Sequence, residues 1–105
     1  MKVRIVEHSN LARIAAWKID TPSVALTLGR TIHLHNASRQ QLLHDEAWIC
    51  HELAHVKQYM HYGFFPFICL YLWESIRKGY YYNKFEVEAR EAEKNKSLLK
   101  EAQFI

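Results

Sequence analysis

The segment from His51 to His55 reads His-Glu-Leu-Ala-His, and this H-E-x-x-H spacing constrains the chain more than any other feature. Residues four apart lie on one face of a helix, so both imidazoles can reach one zinc ion at about 2.0–2.1 Å. Glu52 lies about 100° further round the same helix. From there it can act as general base on a water at the open position of the zinc. The segment therefore predicts a zinc-binding helix in which Glu52 is the catalytic residue.

The surrounding sequence supports a helix from about residue 40 to residue 62. Nothing in this stretch breaks a helix, and Gly63 is well placed as the residue that follows its last turn. Trp48, Ile49 and Leu53 supply an apolar side that can pack against a core and leave the histidine side free for a cleft. The alternative interpretation is a solvated helix face that carries two histidines.

The remaining patterns predict an α+β fold of one domain over residues 1–105, in which a small antiparallel sheet packs on the H-E-x-x-H helix and two further helices. Residues 23–35 favour a hairpin with Gly29 and Arg30 as its two-residue loop. Ser38 and Gln41 have the spacing of a capping box. The other predicted elements are a strand over 2–7, a helix over 10–19, a helix over 67–78 ended by Gly79, and a last helix over 83–103.

Composition and charge exclude several classes. The chain has 105 residues, half of them hydrophobic, and a net charge of +3 with no clustered basic face, so nucleic acid is not an expected partner. Two cysteines are too few for a disulfide framework. The charged start is unlike a signal peptide, and we expect a cytoplasmic protein.

Residues 64–73 form an apolar, aromatic run that raises the question of a membrane. Ten residues are about half of what a transmembrane helix needs, and charged residues follow at once, so we predict no transmembrane segment. A buried core helix is the favoured interpretation. An interfacial helix that touches a membrane surface, or a patch that binds a partner, is the alternative.

A catalytic zinc site needs a third protein ligand, and the last predicted helix is the best source. Glu86 and Glu88 stand near its start, about 30 residues after His55. Acidic residues also favour helix starts through the helix dipole alone, so each could instead be a surface residue. The residues by themselves leave Glu86 and Glu88 both open as ligands.

The motifs together resemble the zincin metallopeptidases of the glutamate-ligand (gluzincin) type. Residues 51–58, HELAHVKQ, are similar to the motif of minimal bacterial zincin-like domains, including the core domain found with extracellular contractile injection systems. In those domains a strand reading roughly A-x-T-x-G-x-x-I precedes the helix, and Ala25, Thr27, Gly29 and Ile32 have that spacing. A later E-x-x-A-D motif of those domains aligns with residues 86–90, so that its glutamate corresponds to Glu86, its alanine to Ala89 and its acid to Arg90.

The resemblance implies Glu86 as the third zinc ligand, with Glu88 as the runner-up. Arg90 stands where the family has an acid that supports a histidine ligand, a loss that typically costs 10- to 100-fold in metal affinity or activity. Glu93 or Glu88 could substitute for that acid.

The resemblance also implies a sheet edge that lines the cleft, and we assign it to residues 31–35. A peptide substrate could add there as a strand. His33 and His35 on this strand point either to the cleft or to water. A gluzincin usually offers a further group to stabilise the oxyanion, and Tyr82 is our candidate by position, ahead of Tyr80 and Tyr81.

Three functions follow as hypotheses. The first is a peptidase that holds one Zn²⁺ through His51, His55 and Glu86 and hydrolyses a peptide or protein substrate. The second is a catalytically inactive zincin-like module that binds zinc and acts in protein–protein interaction, which the short length and Arg90 favour. The third is a membrane-surface protein whose motif arises by chance.

Overall fold

A computed structural model describes residues 1–19, 21 and 23–105, and the backbone alone at residue 19. The predicted α+β class is confirmed. The elements in chain order are β1 (Lys2–Val6), α1 (Asn10–Ile19), β2 (Val24–Leu28), β3 (Thr31–His35), α2 (Arg39–His44), α3 (Glu46–Tyr62), α4 (Phe64–Tyr82), α5 (Lys84–Ala92), α6 (Ser97–Glu101) and β4 (Gln103–Phe104).

The sheet is mixed, with the strand order β2-β3-β1-β4. β2 and β3 form the predicted antiparallel hairpin, in which Leu28 is opposite Thr31 and Gly29 takes φ +64° in the two-residue loop. β1, however, runs parallel to both β3 and β4. Parallel neighbours need a crossover connection, and α1 with β2 provides it between β1 and β3.

The strand order corrects one prediction about the cleft. Residues 31–35 are not at the edge, because β1 pairs with β3 on the side away from β2. β2, on the opposite side of β3 from β1, is an edge strand of the sheet. His33 points away from the cleft and its Nδ1 lies 3.0 Å from the hydroxyl of Ser9, and His35 lines none of the cavities around the H-E-x-x-H helix.

Helices cover both faces of the sheet. Ile32 and Leu34 of β3 are fully buried in one core cluster with Leu53 of α3. Side chains alternate along a strand, so His33 points to the other face, where its partner Ser9 begins α1. α1 and α3 therefore lie on opposite faces of the β2–β3 hairpin.

The predicted helix over residues 40–62 is two helices that meet at Asp45. Asp45 ends α2 and caps α3, since its side chain accepts a hydrogen bond from the Trp48 amide at 3.1 Å. The capping box of Ser38 and Gln41 at the start of α2 is confirmed, and so is Gly63 at the end of α3. The break leaves the whole H-E-x-x-H segment inside α3.

The C-terminal helices also differ from the prediction. α4 starts at Phe64, three residues earlier than predicted; its regular helix is interrupted at Gly79 (φ +80°), where the sequence predicts its end, before a further turn that reaches Tyr82. The predicted last helix is divided into α5, α6 and the short strand β4. No helix within the described part of the chain is both long and apolar enough to cross a membrane.

The turn between α4 and α5 is held by a fully buried asparagine. The Asn83 amide donates to the Tyr71 carbonyl at 3.0 Å and to the Ser75 hydroxyl at 2.9 Å, and its oxygen caps α5 by accepting from the Phe85 amide at 2.9 Å. This turn determines where α5 begins, and α5 carries Glu86.

We expect Asn83→Ala to lower the free energy of unfolding by roughly 2–3 kcal/mol, because it removes a helix cap and two buried hydrogen bonds. Urea denaturation measures the change. Asn95→Ala, at an exposed asparagine, is the control and should cost less than about 0.5 kcal/mol. Equal losses in the two variants would show that the turn is not held by this side chain.

Candidate metal centre

α3 places both histidines of the H-E-x-x-H segment on one face, as predicted. The ring centroids of His51 and His55 are 5.1 Å apart, and His55 is buried. The opposite side of α3 carries Ile49 and Leu53 into the main core cluster. Packing of that apolar side therefore orients the imidazoles toward the space between α3 and α5.

α5 brings Glu86 to the same space. Its Oε1 lies 3.0 Å from Nε2 of His51 and 3.2 Å from Nε2 of His55. Glu88 lies elsewhere: it accepts a hydrogen bond from the Gln58 amide at 3.2 Å and lines a separate surface groove with Lys57 and His61. Of the two glutamates that the residues left open, the structure brings Glu86 to the histidines.

The donor set fits zinc. Among the described residues, His51, His55 and Glu86 are the one cluster of three metal-ligating side chains, and their ligand atoms all lie within 4.8 Å of one another. Two imidazole nitrogens and one carboxylate oxygen form a ligand set of catalytic zinc sites, and tetrahedral bonds of about 2.0–2.1 Å separate neighbouring ligands by roughly 3.3 Å. The distances from Glu86 to the histidines are close to that value.

In the metal-free protein, hydrogen bonds from the protonated histidines to Glu86 hold this cluster together. Burial by itself lowers the pKa of His51, but hydrogen bonds to Glu86 and Glu93 and the charge of Glu52 raise it to about 9. Burial lowers the pKa of His55 in the same way, but its hydrogen bond to Glu86, the charges of Glu52 and Glu86 and its hydrogen bond to Gln58 raise it. Burial raises the pKa of Glu86, yet hydrogen bonds from both histidines bring it well below its ordinary range. A divalent cation would replace these protons.

Both histidines are oriented by hydrogen bonds from their second ring nitrogen. Nδ1–H of His51 donates to Oε2 of Glu93 at 2.9 Å, and Nδ1–H of His55 donates to the Gln58 amide oxygen at 2.8 Å. Such partners fix the ring orientation of a metal-ligating histidine and make it a stronger ligand. Each Nε2 is thereby directed toward Glu86.

Glu93 thus occupies the supporting position that Arg90 leaves vacant. It follows Arg90 by three residues, which is about one helical turn, and so returns to the same side of α5. Arg90 turns away from the histidines: its guanidinium lies 4.1 Å from the ring centroid of Tyr81 and donates to the Tyr81 carbonyl. Of the two candidates for the missing acid, the structure places Glu93, not Glu88, against a histidine.

Glu52 is held from the strand side. Its Oε1 accepts a hydrogen bond from the Thr27 hydroxyl at 2.9 Å, and both side chains are buried. Burial raises the pKa of Glu52, and the neighbouring charges of His55 and His51 partly oppose the rise. Thr27 thereby attaches the glutamate of α3 to the edge strand β2.

Two tyrosines of α4 lie at the site, and Tyr82 is not one of them. Tyr82 is 68% exposed and lines none of the cavities around the histidines. Tyr71 donates a hydrogen bond to Oε2 of Glu86, and Tyr80 lines the cleft beside His51 and Glu52. Burial raises the pKa of Tyr80 to about 12, so its phenol keeps its proton. No motif in the sequence distinguishes Tyr71 from the other aromatic residues of its run.

A cleft runs along β2 past these residues. It has two adjoining parts, of about 530 and 360 Å³, which share Val24, Ala25, His51, Glu52 and Tyr80 in their walls. The larger part has a lining that is about half polar and includes Asp45 and Glu93. The smaller part is mainly apolar and extends between β2 and α4.

A known protein family matches more than half of this chain. The family model described as the eCIS core domain matches residues 2–62, which contain β2, Thr27 and the whole H-E-x-x-H segment. Glu86 and Glu93 lie beyond the matched range, so their placement rests on the structure. No curated protein and no solved structure matches the chain.

We expect Glu93→Gln to weaken zinc binding by roughly 10- to 100-fold, since the amide orients His51 without the charge of a carboxylate. Competition with a chromophoric zinc chelator measures the affinity. Glu91→Gln, at an exposed glutamate in the last turn of α5, two residues before Glu93, is the matched control and should bind zinc like the wild type. Equal affinities in all three proteins would contradict the supporting role of Glu93.

The stability of the metal-free protein should fall as the pH rises. Because the pKa of His51 in the folded state is about 9 against an ordinary 6.5, protonated His51 contributes fully below pH 6.5 and its contribution disappears as the pH passes 9. The melting temperature in EDTA should therefore be lower at about pH 9.5 than at about pH 6.5. His51→Gln should flatten this dependence, and a wild-type profile without a decline would contradict the assignment.

Proposed function

The chain belongs to the eCIS core domain family, which associates it with extracellular contractile injection systems, and from its metal centre we propose that it is a zinc-dependent metallopeptidase. The observation that carries the proposal is the convergence of Nε2 of His51, Nε2 of His55 and Oε1 of Glu86 beside a buried Glu52. This group opens into a cleft whose wall is the edge strand β2.

The residues of the chain have distinct tasks in peptide hydrolysis. Zinc bound at His51, His55 and Glu86 would supply a Lewis acid that lowers the pKa of a water molecule and polarises a carbonyl. Glu52 takes one proton from the attacking water and passes it to the leaving amine as the C–N bond breaks. The hydrogen bond from Thr27 keeps the carboxylate of Glu52 in place while it does so.

In this proposal, β2 binds the substrate, and the tyrosines of α4 stabilise the transition state and position a metal ligand. The outer edge of β2 can bind an extended peptide through main-chain hydrogen bonds. Tyr80 lines both parts of the cleft with a protonated phenol that can donate to an oxygen as it gains negative charge. Tyr71, through its hydrogen bond to Glu86, positions the metal-binding carboxylate.

Metal content of the purified protein tests the site. We expect about one zinc per chain in the wild type, and loss of most of it in Glu86→Ala. Glu88→Ala is the matched control, two residues along the same helix, and should keep its zinc. Plasma mass spectrometry gives the ratio. Zinc retained in Glu86→Ala would exclude Glu86 as a required ligand.

Hydrolysis of fluorescein-labelled denatured casein tests the reaction. Glu52→Gln should retain zinc and lower kcat by roughly 10²- to 10⁴-fold, because the amide cannot accept the proton. Glu46→Gln, at an exposed position in the first turn of α3, is the control and should be fully active. Unchanged hydrolysis by Glu52→Gln would show that Glu52 is not the general base.

A zinc-binding module that acts in protein–protein interaction is the second candidate function. It is favoured by the exposed apolar side chains that α4 presents outside the cleft, including Phe65, Trp73 and Ile76. The two candidates differ in the open metal position that catalysis needs. Acetohydroxamate should change the visible spectrum of the cobalt-substituted protein if the site is catalytic, and leave it unchanged if the module is inactive.

A further inference from the structure

The cleft restricts which peptides can bind beside the metal centre. Resting on the proposed function, we propose that the substrate is an extended segment with bulky apolar side chains on both of its faces, which adds to β2 as a further strand of the sheet. The proposal rests on the edge of β2, on the helices that cover both of its faces, and on the apolar lining between them.

The edge of β2 is available. Among the residues that the structure describes, β2 pairs only with β3, and all five of its residues, Val24–Leu28, line the smaller part of the cleft. Its outer backbone N–H and C=O groups therefore face a cavity of about 360 Å³. An extended peptide in that cavity can pair with them as an added strand.

An added strand would be covered on both faces. Residues opposite each other in the hairpin share a face, so Leu26, opposite His33, points toward α1, and Thr27, opposite Ile32, points toward α3. The cavity has α1 on the first side, through Ala15 and Lys18. On the second side it has α3 and α4. A strand with helices on both faces is apolar along its whole length rather than at alternate positions.

The lining of the cavity agrees with such a segment. Away from the metal centre, α3 and α4 contribute Tyr59, Phe67, Ile68 and Leu72. Lys18 is the one charged side chain among the described lining residues outside His51, Glu52, His55 and Glu86. A charged substrate side chain on the α4 side would lose its water without gaining a partner.

Exposed apolar residues extend the same two walls beyond the cavity. On α1, Leu11 precedes Ala15 by four residues and Ile14 precedes Lys18 by four, so both share the face that lines the cleft. They are 50% and 58% exposed. On α4, Leu72 both lines the cavity and is 54% exposed. Both walls therefore offer apolar surface that a substrate segment would cover.

Three labelled peptides test the inference, each with two lysines at both ends for solubility. The doubly apolar peptide has seven alternating valines and isoleucines, the singly apolar peptide alternates valine with serine, and the polar peptide alternates serine with threonine. Binding to zinc-loaded Glu52→Gln is followed by fluorescence anisotropy, so that cleavage does not interfere. We expect the doubly apolar peptide to bind about tenfold or more tightly than the singly apolar one, and the polar peptide most weakly.

Variants of each wall give a second measurement. Ala15→Glu on α1 and Leu72→Glu on α4, each introduced into Glu52→Gln, should weaken binding of the doubly apolar peptide by about tenfold or more. The matched controls are Trp17→Glu and Ile76→Glu, at exposed positions of the same helices that do not line the cleft. They should stay within about twofold of the parent.

Equal affinity for the doubly and singly apolar peptides, or unchanged binding in both wall variants, would overturn the inference. So would displacement of the peptide by phosphatidylcholine vesicles, or a dimer that dissociates when the peptide binds, since the cleft would then hold a lipid surface or a second copy. The proposed function fails separately. If the wild type binds the peptide without cleaving it, the inference about the substrate stands and the peptidase proposal fails. If the wild type cleaves all three peptides equally, the peptidase proposal stands and the inference about the substrate fails.

Discussion

The carboxylate of Glu86 is the interaction on which the site depends. It joins three helices: Oε1 contacts both histidines of α3, Oε2 accepts from Tyr71 of α4, and the residue itself belongs to α5. The buried cap at Asn83 sets where α5 begins, so the hydrogen bonds of one side chain in a turn determine where this charge lies. The geometry of the metal centre therefore depends directly on how α5 packs on α3.

Concentrating two histidines and two glutamates in a buried space has an electrostatic cost, because burial disfavours every charged form. The arrangement offsets that cost because each histidine forms an ion pair with Glu86. The histidines have a raised pKa and Glu86 a lowered one, while Thr27, Gln58 and Glu93 satisfy the remaining polar atoms. Among the described residues no buried side-chain nitrogen or oxygen lacks a hydrogen-bond partner. A cation that displaces the protons meets ligands that are already oriented.

Local signals predicted the parts of the fold that depend on near neighbours in the chain. The hairpin around Gly29, the capping box at Ser38 and the end of α3 at Gly63 all follow from residues within a few positions of one another. The errors concern distant partners. Whether β3 or β2 is the edge depends on β1, which is about 25 residues earlier in the chain and pairs parallel. The division of the last helix likewise depends on a distant partner, since its end pairs with β1 as β4. The break in α4 at Gly79, in contrast, was predicted from the glycine itself.

The sequence by itself determined the helix with His51, Glu52 and His55 on one side, because the spacing of those residues and the helical repeat are both local. It also narrowed the third ligand to two glutamates. The tertiary structure alone decided between them. It also showed that Glu93, rather than an acid at position 90, supports His51. Finally, it brought Tyr71 and Thr27 to the site. The physical reason is that these contacts join separate elements, so their partners are set by how α4, α5 and β2 pack around α3 rather than by any pattern along one of them.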